Sequence, residues 1–204
     1  MKIEDFIKDE KSLDLIRKAE EFARSFFEGE GTHGFSHTER VLALCMHIGE
    51  KEGADLEVLA LAALLHDIAR PLESRGKIDD HAKEGAKIAK RFLEGLGYGK
   101  VEQVTHAIEA HRFSRPPEPR TLEAKILSDA DKLDAMGAIG IARVFMYSAE
   151  HGRSIEHSLR HFEEKILKLK DLMYTKTAKE LALERHKYVE GFIERIRKEI
   201  EGEL

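Results

Sequence analysis

The sequence predicts an all-α fold, and three features support this prediction. Apolar residues recur at intervals of three and four along almost the whole chain. No segment alternates between apolar and polar residues for long enough to suggest a sheet. Glycine, proline and short polar stretches separate the periodic segments. Together these features predict a helical bundle of about seven or eight helices, at 12–28, 36–53, 55–67, 81–95, 101–113, 121–149, 154–173 and 177–201.

The first two helices are indicated by the residues at their ends. Ser12 is a suitable cap for the first helix, and a glycine-rich stretch follows it. The sequence Ser36-His-Thr-Glu39 has the form of a capping box, which opens the second helix. His37 therefore lies in the first turn of that helix, which ends at Gly53.

The third helix is apolar almost throughout, as expected for a buried helix. Asp55 is a suitable cap at its beginning. Its last residues are an imidazole and a carboxylate side by side, His66 and Asp67. Pro71 is expected to stop the helix, because proline disfavours helical geometry in the residue before it. A polar connection follows at 72–77.

The remaining helices are bounded by equally local signals. Either Asp79 or Asp80 is suited to cap the fourth helix. A proline-rich loop at 114–119 stops the fifth, and the long sixth segment is expected to break at Gly137 or Gly140. Apolar stripes define the last two helices.

The length and composition predict one domain, with a motif-bearing core at 36–145 and C-terminal helices at 154–201 packing on it. A net charge of −5 without a long basic run argues against binding to a nucleic-acid polymer. The single cysteine, Cys45, excludes a disulfide framework and a thiolate zinc site. We find no signal peptide or membrane-spanning run, so a cytoplasmic protein with a small-molecule partner is expected; a homodimer is compatible with the sequence.

The candidate site residues come from three separate helices. His37 begins one helix, His66 and Asp67 end the next, and a run of aspartates lies in a later helix. An imidazole and a carboxylate buried side by side need compensation, which a metal cation provides. Two nitrogens and two oxygens could surround one divalent ion and leave coordination positions for water and substrate. Spacing alone does not choose among Asp129, Asp131 and Asp134, of which the last two share a helix face.

The order His37, His66-Asp67, Asp131 resembles the H, HD, D pattern of the HD-domain metal-dependent phosphohydrolases. The resemblance covers about 36–145. Within it, the segment 129–134, Asp-Ala-Asp-Lys-Leu-Asp, is similar to the way in which many members present their final aspartate ligand, which favours Asp131. The longer strings at 66–70 and 129–140 resemble a bacterial and archaeal branch of small single-domain members. That branch includes proteins regarded as nucleoside triphosphate pyrophosphohydrolases.

Two further histidines suit a second site. Some HD enzymes add histidines between the HD pair and the last aspartate and bind a second metal, and His81 and His111 occur in that interval. The chain departs from the phosphodiesterases of the superfamily because it lacks their paired histidines near His111 and the GYP signature. His81 and His111 are therefore expected either to bind a second ion or to contact substrate phosphate.

Four other residues are candidates for roles in catalysis alongside Asp67. Lys132 and Arg70 are the cations nearest in sequence to the proposed ligands and could stabilise charge on a phosphoryl group. The competing interpretation is that both are solvated or pair with surface carboxylates. Glu73 and Asp134 are candidates for a general acid or base. The spacing of Glu73 departs from the HD-x-x-E-D form of the stringent-response hydrolases.

The resemblance implies a metal-dependent phosphohydrolase acting on a small phosphorylated molecule, with a nucleotide expected. Hydrolysis of nucleoside triphosphates to release pyrophosphate is favoured; a 5'-nucleotidase or a phosphodiesterase of the same superfamily is the alternative. A hypothesis of a different class is a non-catalytic sensor that binds metal or nucleotide. The expected cofactor is one divalent ion, manganese first, with nickel, cobalt, iron and magnesium as alternatives.

Overall fold

The computed structural model describes residues 2–27, 34–112 and 117–203, and in these ranges it is helical without a strand. This confirms the all-α class. The expected ends at 28 and 113 and part of the loop at 114–119 lie outside the described residues. Ten α-helices are present in the described ranges: α1 (Glu10–Arg24), α2 (Phe35–Glu52), α3 (Leu56–Leu65), α4 (Arg70–Ser74), α5 (His81–Gly95), α6 (Val101–Ala110), α7 (Leu122–Asp134), α8 (Gly137–Glu150), α9 (Ile155–Glu164) and α10 (Lys176–Ile200). Two 3-10 segments accompany them, Ile3–Asp5 and Ile166–Leu172.

The chain divides into two compact units, Met1–Ala130 and Asp131–Leu204, and the boundary falls inside α7. This division does not test the expected single domain with a core at 36–145 and C-terminal helices at 154–201, which stays a prediction. Among the helices given above, none is both long enough and apolar enough to cross a bilayer.

The central element of the first unit is α3. It packs against α1, α2, α5 and α6, and every residue from Val58 to Leu65 is buried. A helix that is apolar on all sides has no face suited to water, so it occupies the interior. Asp55 caps its beginning by accepting a hydrogen bond from the backbone N–H of Val58, as predicted. The residues that follow its end are consequently carried into the interior as well.

The region after α3 differs from the expected polar connection. Pro71 lies in the first turn of a short helix, α4, rather than only ending the preceding one. Proline suits that position because its fixed φ matches a helix and the first N–H groups of a helix have no intrahelical partner. The five residues of α4 place Arg70 and Glu73 on a defined element.

The predicted caps were partly right. Asp80, rather than Asp79, caps α5 by accepting hydrogen bonds from two backbone N–H groups. At the first helix the cap is Asp9, which accepts a bond from Ser12, so the assignment of Ser12 was wrong. The capping box at 36–39 was also wrong, because α2 begins one residue earlier, with Gly34 at the cap position.

The second unit contains α8, α9, α10 and the second 3-10 segment. Helix α10 packs against α8 and the 3-10 segment, and α9 packs against the same two elements. The break between α7 and α8 occurs at Gly137, whose φ of +68° is unfavourable for residues with a side chain. Gly140 is needed for a different reason: a Cβ built there would lie 2.2 Å from the carbonyl oxygen of Ala135.

We expect Gly140→Ala to destabilise the protein, by about 1–3 kcal/mol, because the clash is with backbone that no rotamer change can relieve. Gly191→Ala is the matched control, since Gly191 is in α10 and a Cβ added there would have nothing within 4 Å of it. That variant should raise the free energy of unfolding by about 0.5–1 kcal/mol. Urea denaturation of both variants measures the difference, and equal effects would contradict the packing at Gly140.

Candidate metal centre

Four imidazoles and one carboxylate meet in the interior of the first unit. They lie at helix termini: the N-terminal turns of α2 and α5, and the C-terminal ends of α3 and α6. Each is at most 4% exposed. The five residues are His37, His66, Asp67, His81 and His111. The structure thus brings together the two histidine pairs that the sequence suggested.

The group divides into two sets of three that share Asp67. In the first triad, the Nε2 atoms of His37 and His66 are 3.4 Å apart, and each is 3.8 Å from Asp67 Oδ2. In the second triad, Asp67 Oδ1 lies 3.2 Å from His81 Nε2 and 3.8 Å from His111 Nε2. The carboxylate therefore faces two imidazoles with each of its oxygens.

The backbone fixes the protonation of two of these rings. His66 Nδ1 donates to the carbonyl oxygen of Ala63 at 2.7 Å, and His111 Nδ1 donates to that of Ile108 at 2.5 Å. In each case the acceptor lies three residues earlier, in the last turn of the helix that the histidine ends. Because a carbonyl oxygen can only accept, the proton is on Nδ1 and the Nε2 lone pair points to the centre.

Glu73 has the same effect on the third ring. Its Oε2 lies 2.8 Å from His81 Nδ1, and a carboxylate is also only an acceptor. This contact is shorter than the 3.2 Å between His81 Nε2 and Asp67 Oδ1, which favours the proton on Nδ1 in the neutral ring and leaves the Nε2 lone pair facing Asp67. A carboxylate that orients a histidine in this way is a common companion of metal-bound imidazole.

In their neutral forms His66, His81 and His111 therefore turn Nε2 lone pairs towards the Asp67 carboxylate. In the described part of the chain, Asp67 Oδ1 is buried without a well-aligned hydrogen bond. Burial opposes ionisation of this carboxyl, but His66 and His81 in their protonated forms, together with Arg70, outweigh it and hold its pKa well below the usual range. With these rings neutral, a buried charged oxygen that faces their lone pairs is costly unless a cation lies among them. The donor set, imidazole nitrogen with carboxylate oxygen, fits a divalent transition-metal ion.

Two guanidinium groups lie beside the second triad. Arg70 Nε is 4.0 Å from Asp67 Oδ2, and Arg70 Nη1 is 3.2 Å from Glu73 Oε2. Arg112 Nη1 donates to Glu73 Oε1 at 2.9 Å. Both arginine side chains are about one quarter exposed, at 26% and 23%. Arg112 was not among the residues predicted from the sequence, although its position directly after His111 was a usable signal.

The surroundings of Glu73 bear on its expected role as a general acid or base. Burial raises the pKa of this carboxyl, but His81 and Arg112 outweigh burial and lower it below its ordinary value. The side chain is therefore charged at neutral pH and carries no proton to donate. This favours a role in orienting His81; a role in proton transfer stays a prediction.

Three candidates from the sequence lie in the second unit. Asp131, half-buried, and Lys132, buried, are in the last turn of α7. Lys132 Nζ lies 5.2 Å from the centre of the Tyr174 ring. Asp134 accepts a hydrogen bond of 2.6 Å from Arg143, which gives it a structural ion pair. The proposed roles of all three stay predictions.

The family model described as HD domain matches residues 34–136, a range that includes every candidate site residue. The chain belongs to the HD-domain family. One relative shares nearly the whole chain. The uncharacterized protein YpgQ of Bacillus subtilis is 36% identical over 203 residues, covering 94% of this chain and 97% of YpgQ.

Solved structures of HD-domain proteins are similar over the same length. The crystal structure of Bacillus subtilis YpgQ in complex with ADP has a TM-score of 0.76 and 33% identity, covering 91% of this chain and 97% of that one. An HD-superfamily hydrolase from Bacillus thuringiensis has a TM-score of 0.75 and 36% identity, covering 93% and 98%. The protein is thus a member of the HD-superfamily hydrolases.

A longer relative shares only the HD-domain region. Ribonuclease Y of Thermobifida fusca is 35% identical over 118 residues, which is 58% of this chain and 22% of ribonuclease Y. The matched segment is therefore about a fifth of that enzyme.

We expect Asp67→Asn to lose bound metal, because the substitution removes the charge that both triads share. The affinity for a divalent ion should fall by more than about ten-fold. Mass-spectrometric metal analysis and calorimetric titration measure this. Asp14→Asn is the control, since Asp14 is an exposed carboxylate paired with Lys18. Equal metal content in both variants would contradict the centre.

Proposed function

We propose that this protein is a metal-dependent phosphohydrolase that acts on a small phosphorylated molecule. The favoured substrate is a nucleoside triphosphate, cleaved to release pyrophosphate. The observation that carries the proposal is the buried Asp67 carboxylate with four imidazoles around it, a set of nitrogen and oxygen atoms that fits a cation. Membership of the HD-superfamily hydrolases supports the same class of reaction.

The first triad, with Asp131 as a fourth ligand, is the proposed holder of the ion. Manganese is the expected metal; nickel, cobalt, iron and magnesium suit the same mixed donors. The second triad is proposed to hold a second ion or to contact substrate phosphate through His81 and His111. When bound, a divalent ion supplies Lewis acidity towards a phosphoryl oxygen and lowers the pKa of a coordinated water.

The chain's own side chains provide positive charge where phosphate would lie. Arg70 and Arg112 are partly exposed and lie beside the second triad. Negative charge on phosphoryl oxygens is stabilised by guanidinium groups, which can form two parallel hydrogen bonds to phosphate. We include Lys132 among the phosphate-stabilising cations on the basis of its sequence position next to Asp131.

A nucleotide as the substrate class is supported by the ADP complex of YpgQ. The alternative within the superfamily is a 5'-nucleotidase or a phosphodiesterase, since the residues of the centre do not distinguish the bond that is cut. A non-catalytic sensor is the hypothesis of a different class.

A substrate screen tests the reaction. Nucleoside mono-, di- and triphosphates, cyclic dinucleotides and a short RNA are incubated with manganese, nickel, cobalt or magnesium, and the release of phosphate and pyrophosphate is followed. We expect pyrophosphate from triphosphates, and none with Asp67→Ala. Phosphate from monophosphates would favour the nucleotidase, and cleavage of a diester would favour the phosphodiesterase. Nucleotide binding without any turnover would identify a sensor.

The choice of Asp131 is tested by a matched pair. Asp131→Asn should weaken metal binding, because it removes a proposed ligand. Asp134→Asn should keep the metal but lower the free energy of unfolding by about 3 kcal/mol, since it removes the buried negative charge that faces the Arg143 guanidinium. Calorimetric titration and urea denaturation of both variants measure these effects. Loss of metal only in Asp134→Asn would show that the wrong aspartate was chosen.

A further inference from the structure

The Glu73 carboxylate is bound on both of its oxygens. Oε2 lies 2.8 Å from His81 Nδ1 and 3.2 Å from Arg70 Nη1. Oε1 accepts hydrogen bonds from Arg112 Nη1 at 2.9 Å and from the backbone N–H of His81 at 3.4 Å. Four donors thus hold one carboxylate in place between α4, the beginning of α5 and the end of α6.

His81 differs from the other two oriented histidines in its place on its helix. His66 and His111 follow a complete helical turn, and a carbonyl of that turn accepts their Nδ1 proton. His81 is the first residue of α5, so no helical turn precedes it. Its ring needs an acceptor from another element, and Glu73 on α4 provides one.

Arg112 connects this acceptor to the beginning of α5. Besides the bond to Glu73, Arg112 Nη1 is 3.6 Å from Asp80 Oδ1, and Asp80 is the cap of α5. A guanidinium between two carboxylates fixes both of them relative to the histidine that they flank. Arg70 Nη1 lies 3.0 Å from His81 Nδ1. The two nitrogens are this close because both donate to the same oxygen, Glu73 Oε2.

We propose that Glu73 is the positioning residue that makes His81 a metal ligand, and that Arg112 holds Glu73 in place for this purpose. The proposal rests on the proposed function, since it takes the second triad to be a cation site. Without Glu73, the His81 ring loses the carboxylate acceptor at Nδ1 and can carry its proton on Nε2, which faces Asp67. The second triad then loses one of its three ligand atoms, whereas the first triad keeps all of its own.

The test compares Glu73→Ala and Glu73→Gln with the control Glu84→Ala. Glu84 is an acidic residue in the same first turn of α5 that pairs with Lys87. The glutamine amide oxygen can still accept the Nδ1 proton, so Glu73→Gln should retain much of the effect. Nitrogen NMR of the metal-free proteins, at an alkaline pH where imidazole is neutral, reads the tautomer of His81, which is assigned by comparison with His81→Gln. Calorimetric titration with Mn²⁺ reads the number and affinity of bound ions.

We expect the Nδ1–H tautomer at His81 in the wild type, the control and Glu73→Gln, and a shift to Nε2–H in Glu73→Ala. The affinity for the second ion should fall by about ten-fold or more in Glu73→Ala, whereas the affinity for the first ion should stay the same. In the double variant with His81→Ala, the loss of Glu73 should add nothing, whereas a merely structural role would be additive.

Any of three results would overturn the proposal. The first is an unchanged His81 tautomer in Glu73→Ala. The second is a second ion that binds Glu73→Ala as tightly as it binds Glu84→Ala. The third is a wild type that binds a single ion with the same affinity as Glu73→Ala. Failure of the proposed function is a separate result: a wild type that binds no ion would refute the metal centre, while the tautomer, measured without metal, still decides whether Glu73 orients His81.

Discussion

The buried carboxylate of Asp67 is the constraint on which the rest of this structure depends. Its two oxygens face four imidazoles at 3.2–3.8 Å, and three of those rings have their Nδ1 protons committed to other acceptors. When neutral, these three rings therefore offer it lone pairs and no protons. Such an arrangement is stable only with positive charge inside it, whether protons or a metal ion, so the affinity for cations follows from how the helices end.

The position of this carboxylate follows in turn from α3. Because α3 is apolar on every side, it has neighbours on all sides, and the residues after it cannot reach solvent. The helices around it contribute their own ends to the same point: α2 and α5 by their beginnings, α6 by its last turn. The geometry of this histidine and aspartate cluster is thus a property of the hydrophobic core rather than of a surface loop.

Much of this could be predicted from the sequence, for reasons that differ between residues. The pair His66-Asp67 was correctly placed because the apolar run before it is local and unambiguous, and Asp55 and Asp80 were recognised because cap chemistry is local too. The environment of Glu73 was not predictable, since it depends on three elements meeting in space. Pro71 was misinterpreted because proline suits both the end of one helix and the start of another. The choice of Asp131 rests on family resemblance, not on spacing.

The shortness of α4 has a consequence for how such a protein can diverge. This helix has five residues, none of them buried, yet it supplies both a guanidinium and the acceptor that orients one imidazole. Exchanging these residues alters half of the centre without repacking the interior, whereas any change in α3 disturbs folding itself. Residue exchanges in α4 can therefore change the charge beside Asp67 at little risk to folding.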